Sequence, residues 1–436
     1  MVVILLRNFA NIFRIPELTR KLVFTLAVMF VFRVGTFIPV IGINVPALAE
    51  FMNKSLSGGG IFSFMDIFSG GALTQCTLFA LGIGPYITAS IMTQMLSMTI
   101  PSWEQLSKEG EFGRRIINQR TRYLALGLSV FYASAYAYYL EVQGLVLSPG
   151  LPFKLLFVLS LAVGAMFVMW LGEQISLNGL GNGSSMIIFA GIIARFPDYV
   201  ARTLHHAKLG ELQGISLLII LVIFLALVGI IVFLEKGERK IPVQYARRVI
   251  GQRMYGGQST YIPFKINVVG VMPVIFAAAM LNVPAFLLSM LSGYFEMFGR
   301  LHAQFVPGSW LYNTLQFGLI VYFTFFYTAL MFNPTELATQ LKKNGGFVPG
   351  IRPGKRTSEF FDYLLNRIGL VGALYLGTLS ILPSFLGLIY PVPFSLIGGT
   401  QLLILVGVTL EFASQVESYL IEHRYEGFLT TGRVKT

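Results

Sequence analysis

The sequence predicts an all-α integral membrane protein with ten transmembrane helices, and three observations support this fold class. Only 12% of the 436 residues are charged, against about 25% in ordinary soluble domains. Hydrophobic residues make up 55% of the chain, and its mean hydropathy is +0.71. The apolar residues occur in long uninterrupted runs and not in the short alternating strands of a membrane β-barrel. Helices satisfy every backbone hydrogen bond within one segment, so they are the expected spanning element.

Ten apolar runs have the length of a transmembrane helix, which needs about 20 residues. The fifth run is interrupted by Arg195, Pro197 and Asp198. The first run is long enough to span and no convincing cleavage site follows it, so we expect no cleavable signal peptide. The predicted spans are 22–41, 75–98, 121–140, 152–173, 184–203, 214–234, 267–292, 310–332, 367–389 and 395–420.

The distribution of basic residues predicts the orientation of these spans. With a cytosolic N-terminus, 25 of the 32 Lys and Arg residues fall in predicted cytosolic segments or at the span ends that face them, and six fall on the opposite side. Cytosolic loops carry an excess of Lys and Arg, so both termini are expected in the cytosol. The predicted organisation is a cytosolic tail, a first half, an outer loop, a second half and a C-terminal tail, at 1–21, 22–203, 204–213, 214–420 and 421–436.

Each predicted half contains five spans, and an odd number of spans inverts one half relative to the other. Spans 1–5 and 6–10 are therefore expected to form two pseudo-symmetric inverted halves, an arrangement that recurs in transport proteins. No strong sequence similarity links the two halves, so this expectation rests on the count.

Two cytosolic loops, 235–266 and 333–366, are each longer than thirty residues and basic. Typical helix connections in bundles have about 2–8 residues. The loops either dock an acidic or nucleic-acid partner or only fix orientation and contact anionic lipid. We favour docking, because far fewer charges would fix the orientation. Residues 241–249 are predicted to form a strand followed by a turn.

Ionisable residues are rare inside the spans. Arg33 is the main exception, and Glu173 and Glu411 lie nearer helix ends. Ion-coupled transporters place acidic residues or His near the membrane midplane, so the pattern disfavours a secondary transporter of small solutes, which is kept as the alternative function. We expect Arg33 to snorkel or to pair with a carbonyl group.

The sequence shows no cofactor, metal or catalytic motif. The four histidines lack the spacing of a zinc site. The Gly-rich stretch 179–183 lacks the GxGxxG spacing and follows a membrane helix, which disfavours a dinucleotide site. A single cysteine, Cys76, excludes an intramolecular disulfide and is expected to be a packing residue. An enzyme is therefore not predicted.

The segment 61–98 is the most informative part of the chain. A short apolar piece, 61–73, ends at Gly70-Gly71 and precedes the second span. It is too short to cross the membrane, and non-helical backbone at membrane depth is tolerated only when it is buried in protein or lines a cavity. The piece either enters an aqueous cavity on the non-cytosolic side or lies as a helix on the membrane surface.

Several long motifs follow one another along the chain. They are FSGGAL at 68–73, FALGIGPYITASI at 79–91, MWLGEQI at 169–175, GNG at 181–183, QSTYIPFKIN at 258–267, GVMPVIFA at 270–277 and FNPTELATQLKKNGGFVPGIRPGKRT at 332–357. In this order they resemble the SecY family, the pore subunit of the bacterial protein-export translocon. The resemblance implies a central pore closed by a short plug helix, no enzymatic activity, and a location in the bacterial cytoplasmic (inner) membrane.

The resemblance also implies a pore ring of apolar side chains. Such a ring excludes ions by dewetting when empty and fits around a chain when occupied. A sixth ring position falls on Ser184, which either weakens the seal or shifts its load to Ile187 or to the plug. By motif, the other ring positions are Ile83, Ile87, Ile188, Ile275 and Ile404.

The implied plug is residues 61–73, with Phe64, Phe68, Gly70 and Gly71 as packing and hinge residues. The implied lateral gate lies between the second-third and seventh-eighth helices. Its polar candidates are Thr88, Gln94 and Asn282, which serve equally well as ordinary helix-packing residues.

The resemblance gives the chain expected partners. Arg352 matches an arginine that serves the SecA motor, and the other loop would meet SecA or ribosomal RNA. SecE and SecG are the expected small subunits, with membrane lipids around them. The implied function is to translocate unfolded preproteins with their signal sequences and to release membrane segments laterally. The candidates on the other loop are Arg247, Arg248 and Arg253.

Overall fold

We describe the fold from a computed structural model of the chain. It describes residues 15–44, 46–48, 69–208, 214–245, 248–250, 253–255, 259–291, 296–305, 308–389 and 398–431.

Helices dominate the described residues. The described residues form thirteen helices of eight or more residues. Ten of these helices have at least sixteen residues, and each of the ten overlaps one predicted span. The helices are α1 (Pro16–Gly35), α2 (Gly84–Thr99), α3 (Pro101–Lys108), α4 (Glu111–Val142), α5 (Leu151–Asn178), α6 (Gly183–Lys208), α7 (Gly214–Lys236), α8 (Met272–Leu291), α9 (Glu296–Gln304), α10 (Trp310–Met331), α11 (Pro334–Lys343), α12 (Lys355–Ile389) and α13 (Gly399–Thr431).

Six helices in the described part of the chain are long and apolar enough to cross a membrane by length and composition. Five of them lie within α5, α6, α7, α12 and α13, and the sixth, Trp310–Lys343, covers α10 and continues through α11. Large apolar side chains on them are exposed, such as Leu155 and Leu159 on α5 and Leu218 and Leu225 on α7. A contiguous exposed apolar surface of this kind faces lipid, so the chain is a multi-pass membrane protein.

The predicted start of the second span is wrong. Residues 75–83 form turns, and α2 begins at Gly84 with Pro85 in its first turn. The main chain has a positive φ at Cys76 (48°) and at Gly82 (54°), which a right-handed helix does not allow. With 16 residues, α2 is about 24 Å long, shorter than a hydrocarbon core of about 30 Å. Helix α2 alone is therefore too short to span such a core.

Three other helices extend well beyond their predicted spans. Helix α4 begins at Glu111, α12 begins at Lys355, and α13 ends at Thr431. The added turns carry charged residues and lie inside the predicted cytosolic segments, where a helix continues in water. Hydropathy detects only the apolar part of such a helix.

The described parts of the two basic loops contain strands and helices. The strand predicted at the start of 241–249 is confirmed over Ile241–Tyr245, whereas residues 246–247, where the predicted turn would begin, lie outside the described residues. Strand β1 pairs antiparallel with β4 along seven residue pairs, from Glu238 opposite Lys265 to Gln244 opposite Ser259. Strand β5 joins the other edge of β1, and β2 pairs with β3. The strands are β1 (Glu238–Tyr245), β2 (Arg248–Ile250), β3 (Arg253–Tyr255), β4 (Ser259–Lys265) and β5 (Gly346–Phe347).

This sheet has its own apolar core. One face of β1 and β4 packs with α11 and the first turns of α12 through the side chains of Ile241, Val243, Phe264, Leu341 and Phe361. Asn333 caps α11, because its side-chain oxygen accepts hydrogen bonds from the main-chain nitrogens of the first turn. The described parts of the two loops therefore pack together around one apolar core.

The chain divides into two compact units. Unit 1 comprises 1–209, 279–312 and 408–436, and unit 2 comprises 210–278 and 313–407. The main core of unit 1 includes Tyr136, Leu140, Phe157 and Leu161, where α4 packs against α5. The boundary between halves at 204–213 remains a prediction.

Candidate functional site

The loop 69–83, which precedes α2, crosses the interior of unit 1 without helical structure. Ser69, Ala72, Leu73 and Cys76 are fully buried. The loop pairs with the chain after α1, because Val40 N donates to Cys76 O at 3.1 Å and Leu78 N donates to Ile38 O at 2.9 Å. Tyr136 on α4 donates to Leu73 O at 3.2 Å. Non-helical backbone at membrane depth requires such burial and pairing.

The described end of the predicted plug lies in this loop. Gly70 and Gly71 are buried and adopt positive φ values of 66° and 93°, so residues 69–73 form turns and not the end of a helix. Their burial contradicts a helix on the membrane surface for these five residues. Phe64 and Phe68 lie outside the described residues.

Arg33 pairs with a carbonyl group, which confirms one of the two expectations for it. Its Nη1 donates to the main-chain oxygen of Gly70 at 2.9 Å. From α6, Arg195 Nη2 donates to Thr74 Oγ1 at 3.0 Å. Sequence reasoning treated Arg195 only as an interruption of the fifth span. The structure shows that it binds the loop.

Three of the proposed ring residues belong to unit 1, and all three are buried. Ile83 precedes α2, Ile87 lies in its first turns, and Ile188 lies on α6. A Cβ atom on Gly172 of α5 would lie 3.4 Å from Cδ1 of Ile83 and 3.3 Å from Cδ1 of Ile187. Ile83 and Ile187 therefore reach the same point on α5, which places Ile187 beside a ring residue.

Ser184 has a local structural role at the start of α6. Its hydroxyl donates to Asn182 Oδ1 at 2.7 Å. The same oxygen accepts from the main-chain nitrogens of Ser184 and Ser185, so Asn182 caps the helix. The hydroxyl at the sixth ring position is therefore engaged by the cap of its own helix.

The remaining ring residues, Ile275 on α8 and Ile404 on α13, belong to unit 2 and are buried. A Cβ atom on Gly407 would lie 2.8 Å from Cγ2 of Val271, so α13 approaches the start of α8 closely. Ile275 is four residues from Val271 and Ile404 is three from Gly407, so each lies one turn from this contact on the same helical face.

Two of the three candidate gate residues, Thr88 and Gln94, have described side chains. Thr88 donates to Gly84 O of its own helix at 3.1 Å and is a hydrogen-bond partner of Tyr132 on α4. Gln94 contacts Ser90 on its own helix at 3.4 Å. The side chain of Asn282 lies outside the described residues. A further hydrogen bond between α2 and α4 is buried and joins Thr121 Oγ1 to Thr93 Oγ1 at 3.1 Å, a pair that sequence reasoning missed.

The candidate docking residues lie in the two basic loops. Arg352 is exposed in the turn before α12, where Thr357 Oγ1 donates to its main-chain oxygen at 2.9 Å. Arg247 lies outside the described residues. Arg248 and Arg253 are described only as strand residues, of β2 and β3. Among the four arginines, the structure therefore describes the side chain of Arg352 alone.

Two ion pairs are described on the elements that carry these candidate sites. On β1, Lys240 Nζ lies 3.1 Å from Glu238 Oε1, and the hydrogen bond to this carboxylate raises the pKa of Lys240. Arg122 on α4 and Glu173 on α5 form a two-pronged ion pair at 2.9 and 2.8 Å. An ion pair of this kind lowers the cost of an ionisable residue near the membrane.

Together these features define a multi-pass helical membrane protein with a largely buried, non-helical loop before α2 and a basic sheet that has its own apolar core. Comparison with known sequences identifies the family, because the sequence profile of the SecY family matches residues 77–413. The chain belongs to the SecY family.

Named relatives match almost the whole chain. The protein translocase subunit SecY of Escherichia coli strain K12 is 44% identical over 425 residues, which cover 96% of this chain and 95% of the relative. The same subunit of Aquifex aeolicus is 41% identical over 425 residues, covering 96% and 98%.

Solved structures share the fold. A protein-conducting channel superposes with a TM-score of 0.65 at 20% identity over 92% of both chains. Sec61 from a canine ribosome-channel complex gives a TM-score of 0.59 at 18% identity, again over 92% of each chain. The predicted all-α membrane fold is confirmed.

Proposed function

We propose that this chain is the pore-forming subunit of a protein translocase, which moves unfolded preproteins across a membrane and releases membrane segments laterally into it. The observation that carries the proposal is the buried loop 69–83, which lies within a chain that matches the SecY family over most of its length. Secondary transporters of small solutes also contain broken helices, but the apolar runs of this chain lack the mid-span acidic residues that ion-coupled transporters carry.

The pore ring is proposed to consist of Ile83, Ile87, Ile188, Ile275 and Ile404. The burial of all five and the apolar nature of the isoleucine side chain support this assignment. An apolar constriction excludes ions by dewetting. We assign Ile187 to the same seal, because it meets Ile83 at Gly172 while Ser184 is engaged by Asn182.

Residues 61–73 are proposed to plug this pore from the non-cytosolic side. The support is the packing of Gly70 and Gly71 in the interior of unit 1. Thr88, Gln94 and Asn282 are proposed to tune a lateral gate, where an interhelical hydrogen bond is worth about 0.6–2 kcal/mol.

The proposed partners are SecE and SecG, the SecA ATPase, the ribosome, and the unfolded preprotein with its signal sequence. The chain itself is proposed to hydrolyse nothing, and the motor supplies the energy. Arg352 supports this assignment, because it is exposed in the basic loop 333–366 and its main-chain oxygen is hydrogen-bonded to Thr357. The proposed location is the bacterial cytoplasmic membrane with both termini in the cytosol, in keeping with the distribution of Lys and Arg.

The test is motor-driven import of a preprotein into vesicles that contain the chain with its small subunits. Arg352→Glu should reduce import at least tenfold, a change of about 1.4 kcal/mol, because a carboxylate replaces the docking cation. Arg356→Glu is the matched control, since Arg356 is also exposed and already pairs with Glu359 at 3.5 Å. Equal import by wild type and Arg352→Glu would refute the docking role. An absence of motor-driven import by the wild type would refute the proposed function.

A further inference from the structure

Two arginines on different helices grip the loop segment 69–74. Arg33 lies in the last turn of α1 and donates to Gly70 O at 2.9 Å. Arg195 lies on α6 and donates to Thr74 Oγ1 at 3.0 Å. The same Thr74 hydroxyl donates to Gly71 O at 2.8 Å, so the second arginine holds the turn through Thr74.

The guanidinium of Arg195 packs against the main chain of Gly71, where a residue larger than glycine would leave no room for it. A Cβ atom on Gly71 would lie 2.7 Å from its Nε and 2.9 Å from its Cζ. Gly71 also has a φ of 93°, which L side chains rarely adopt. The charged group therefore packs directly on the main chain of the turn.

Arg195 is largely removed from water, since its side chain is 13% exposed. Asp198 lies 3.9 Å away but is 60% exposed, and ion pairs with an exposed partner contribute little. Burial of a charge is costly unless hydrogen bonds compensate it. The loop atoms provide such compensation, so movement of the loop carries an electrostatic cost.

Contacts at the end of α1 hold Arg33 in position to bind the loop. Its guanidinium lies 4.5 Å from the centre of the Phe37 ring, and its charge is favourable at the C-terminal end of α1. The end of α1 is fixed by packing, because a Cβ atom on Gly35 would overlap the ring of Phe79.

We propose that Arg33 and Arg195 are positioning residues that latch the 69–74 segment in the closed channel and set how readily the channel opens. This inference rests on the proposed function. Displacement of the segment breaks two hydrogen bonds from charged donors, which are stronger than bonds between neutral groups. Loss of either arginine is therefore expected to favour the open channel.

The experiment uses the full chain with its small subunits in vesicles and makes two measurements. Hydrogen exchange of the main-chain amides of 69–76 reports the latch itself, and ion leak without substrate reports closure. Arg195→Met keeps the apolar stem but removes the donors, and should speed the exchange and the leak about tenfold, the effect of about 1.4 kcal/mol. Arg33→Met should act in the same direction.

Two further variants keep the test decisive if Arg195→Met folds poorly. Thr74→Val removes the acceptor of Arg195 together with the hydroxyl's own bond to Gly71 O and leaves the arginine in place, so it should also speed exchange and leak. Arg195→Lys keeps the charge and should restore part of the closure. Lys154→Met is the matched control, because Lys154 pairs with Glu141 at 2.6 Å on the same predicted side of the membrane and should change neither measurement.

Faster exchange together with greater leak supports the latch. Unchanged exchange in Arg195→Met and Thr74→Val overturns it, whatever the channel does. Faster exchange with an unchanged leak overturns its link to closure and places the fault in the plug assignment. Import by the wild type is scored separately, so failure of the proposed function is distinguishable from failure of the latch.

Discussion

Gly70 and Gly191 meet backbone to backbone: a Cβ atom on Gly70 would lie 3.0 Å from the Cα of Gly191 on α6. The φ of Gly70 is 66°, so a side chain there is disfavoured by about 1–2 kcal/mol from the left-handed conformation alone. Gly70→Ala is therefore expected to loosen the 69–74 segment and to increase ion leak through reconstituted vesicles.

Gly127→Ala is the control for this substitution. A Cβ atom on Gly127 would have no neighbour within 4 Å, and alanine in a helix interior is favoured over glycine by about 1 kcal/mol. The control should leave the leak unchanged and raise the unfolding temperature slightly. Identical leak in wild type and Gly70→Ala would show that the close approach of the loop to α6 does not keep the channel closed.

The engagement of Ser184 by Asn182 predicts that position 184 contributes little to the seal. Ser184→Ile adds a bulky aliphatic side chain at the sixth ring position, yet we expect ion leak to stay within about twofold of wild type, or less than about 0.5 kcal/mol. Ile187→Ser should instead increase the leak, because Ile187 meets Ile83 at Gly172. Both are read as ion leak in the absence of substrate. A several-fold tighter seal in Ser184→Ile would contradict this assignment.

Three buried polar side chains in unit 2 form a closed network. Gln316 Nε2 donates to Ser380 Oγ at 2.8 Å and contacts Thr400 Oγ1 at 3.3 Å, and the two hydroxyls are 2.9 Å apart. Gln316→Leu should lower the free energy of unfolding by about 0.6–1.7 kcal/mol, the range of interhelical hydrogen bonds in membranes. The two hydroxyls remain partners of each other, which limits the loss.

Thermal unfolding in detergent measures this loss. Gln340→Leu is the control, because Gln340 is exposed on α11 and has only a 3.5 Å contact with Glu336. Equal unfolding temperatures for the two variants would show that the network does not stabilise unit 2.

The comparison of sequence and structure shows what hydropathy can and cannot predict. Apolar runs located all ten long helices, because lipid imposes a length and composition on each. They misplaced the start of α2, since the positive φ of Cys76 leaves no mark on an apolar run. They also missed the charged turns at the start of α12, which lie outside the apolar stretch.

Residues of the candidate site were predictable where a sequence motif identified them. They were not predictable where their role depends on a contact with a residue far away in the chain. Gly70 and Gly71 were identified from the motif, and the structure explains their need for positive φ. Arg195 was read only as a break in a span, because its partner Thr74 is 121 residues away in the chain. Similarly, no local pattern joins Thr93 to Thr121 or Arg122 to Glu173.

The most direct test of a polypeptide path is disulfide crosslinking between the chain and an arrested preprotein that carries one cysteine. Cys76, the single native cysteine, is buried, so little crosslinking is expected from the unmodified chain. Single cysteines at the positions of the five ring isoleucines should crosslink, whereas those at the exposed apolar positions Leu159 and Leu225 should not. Crosslinks at Leu159 and Leu225 equal to those at the ring, or none at any ring position, would contradict a pore through this chain.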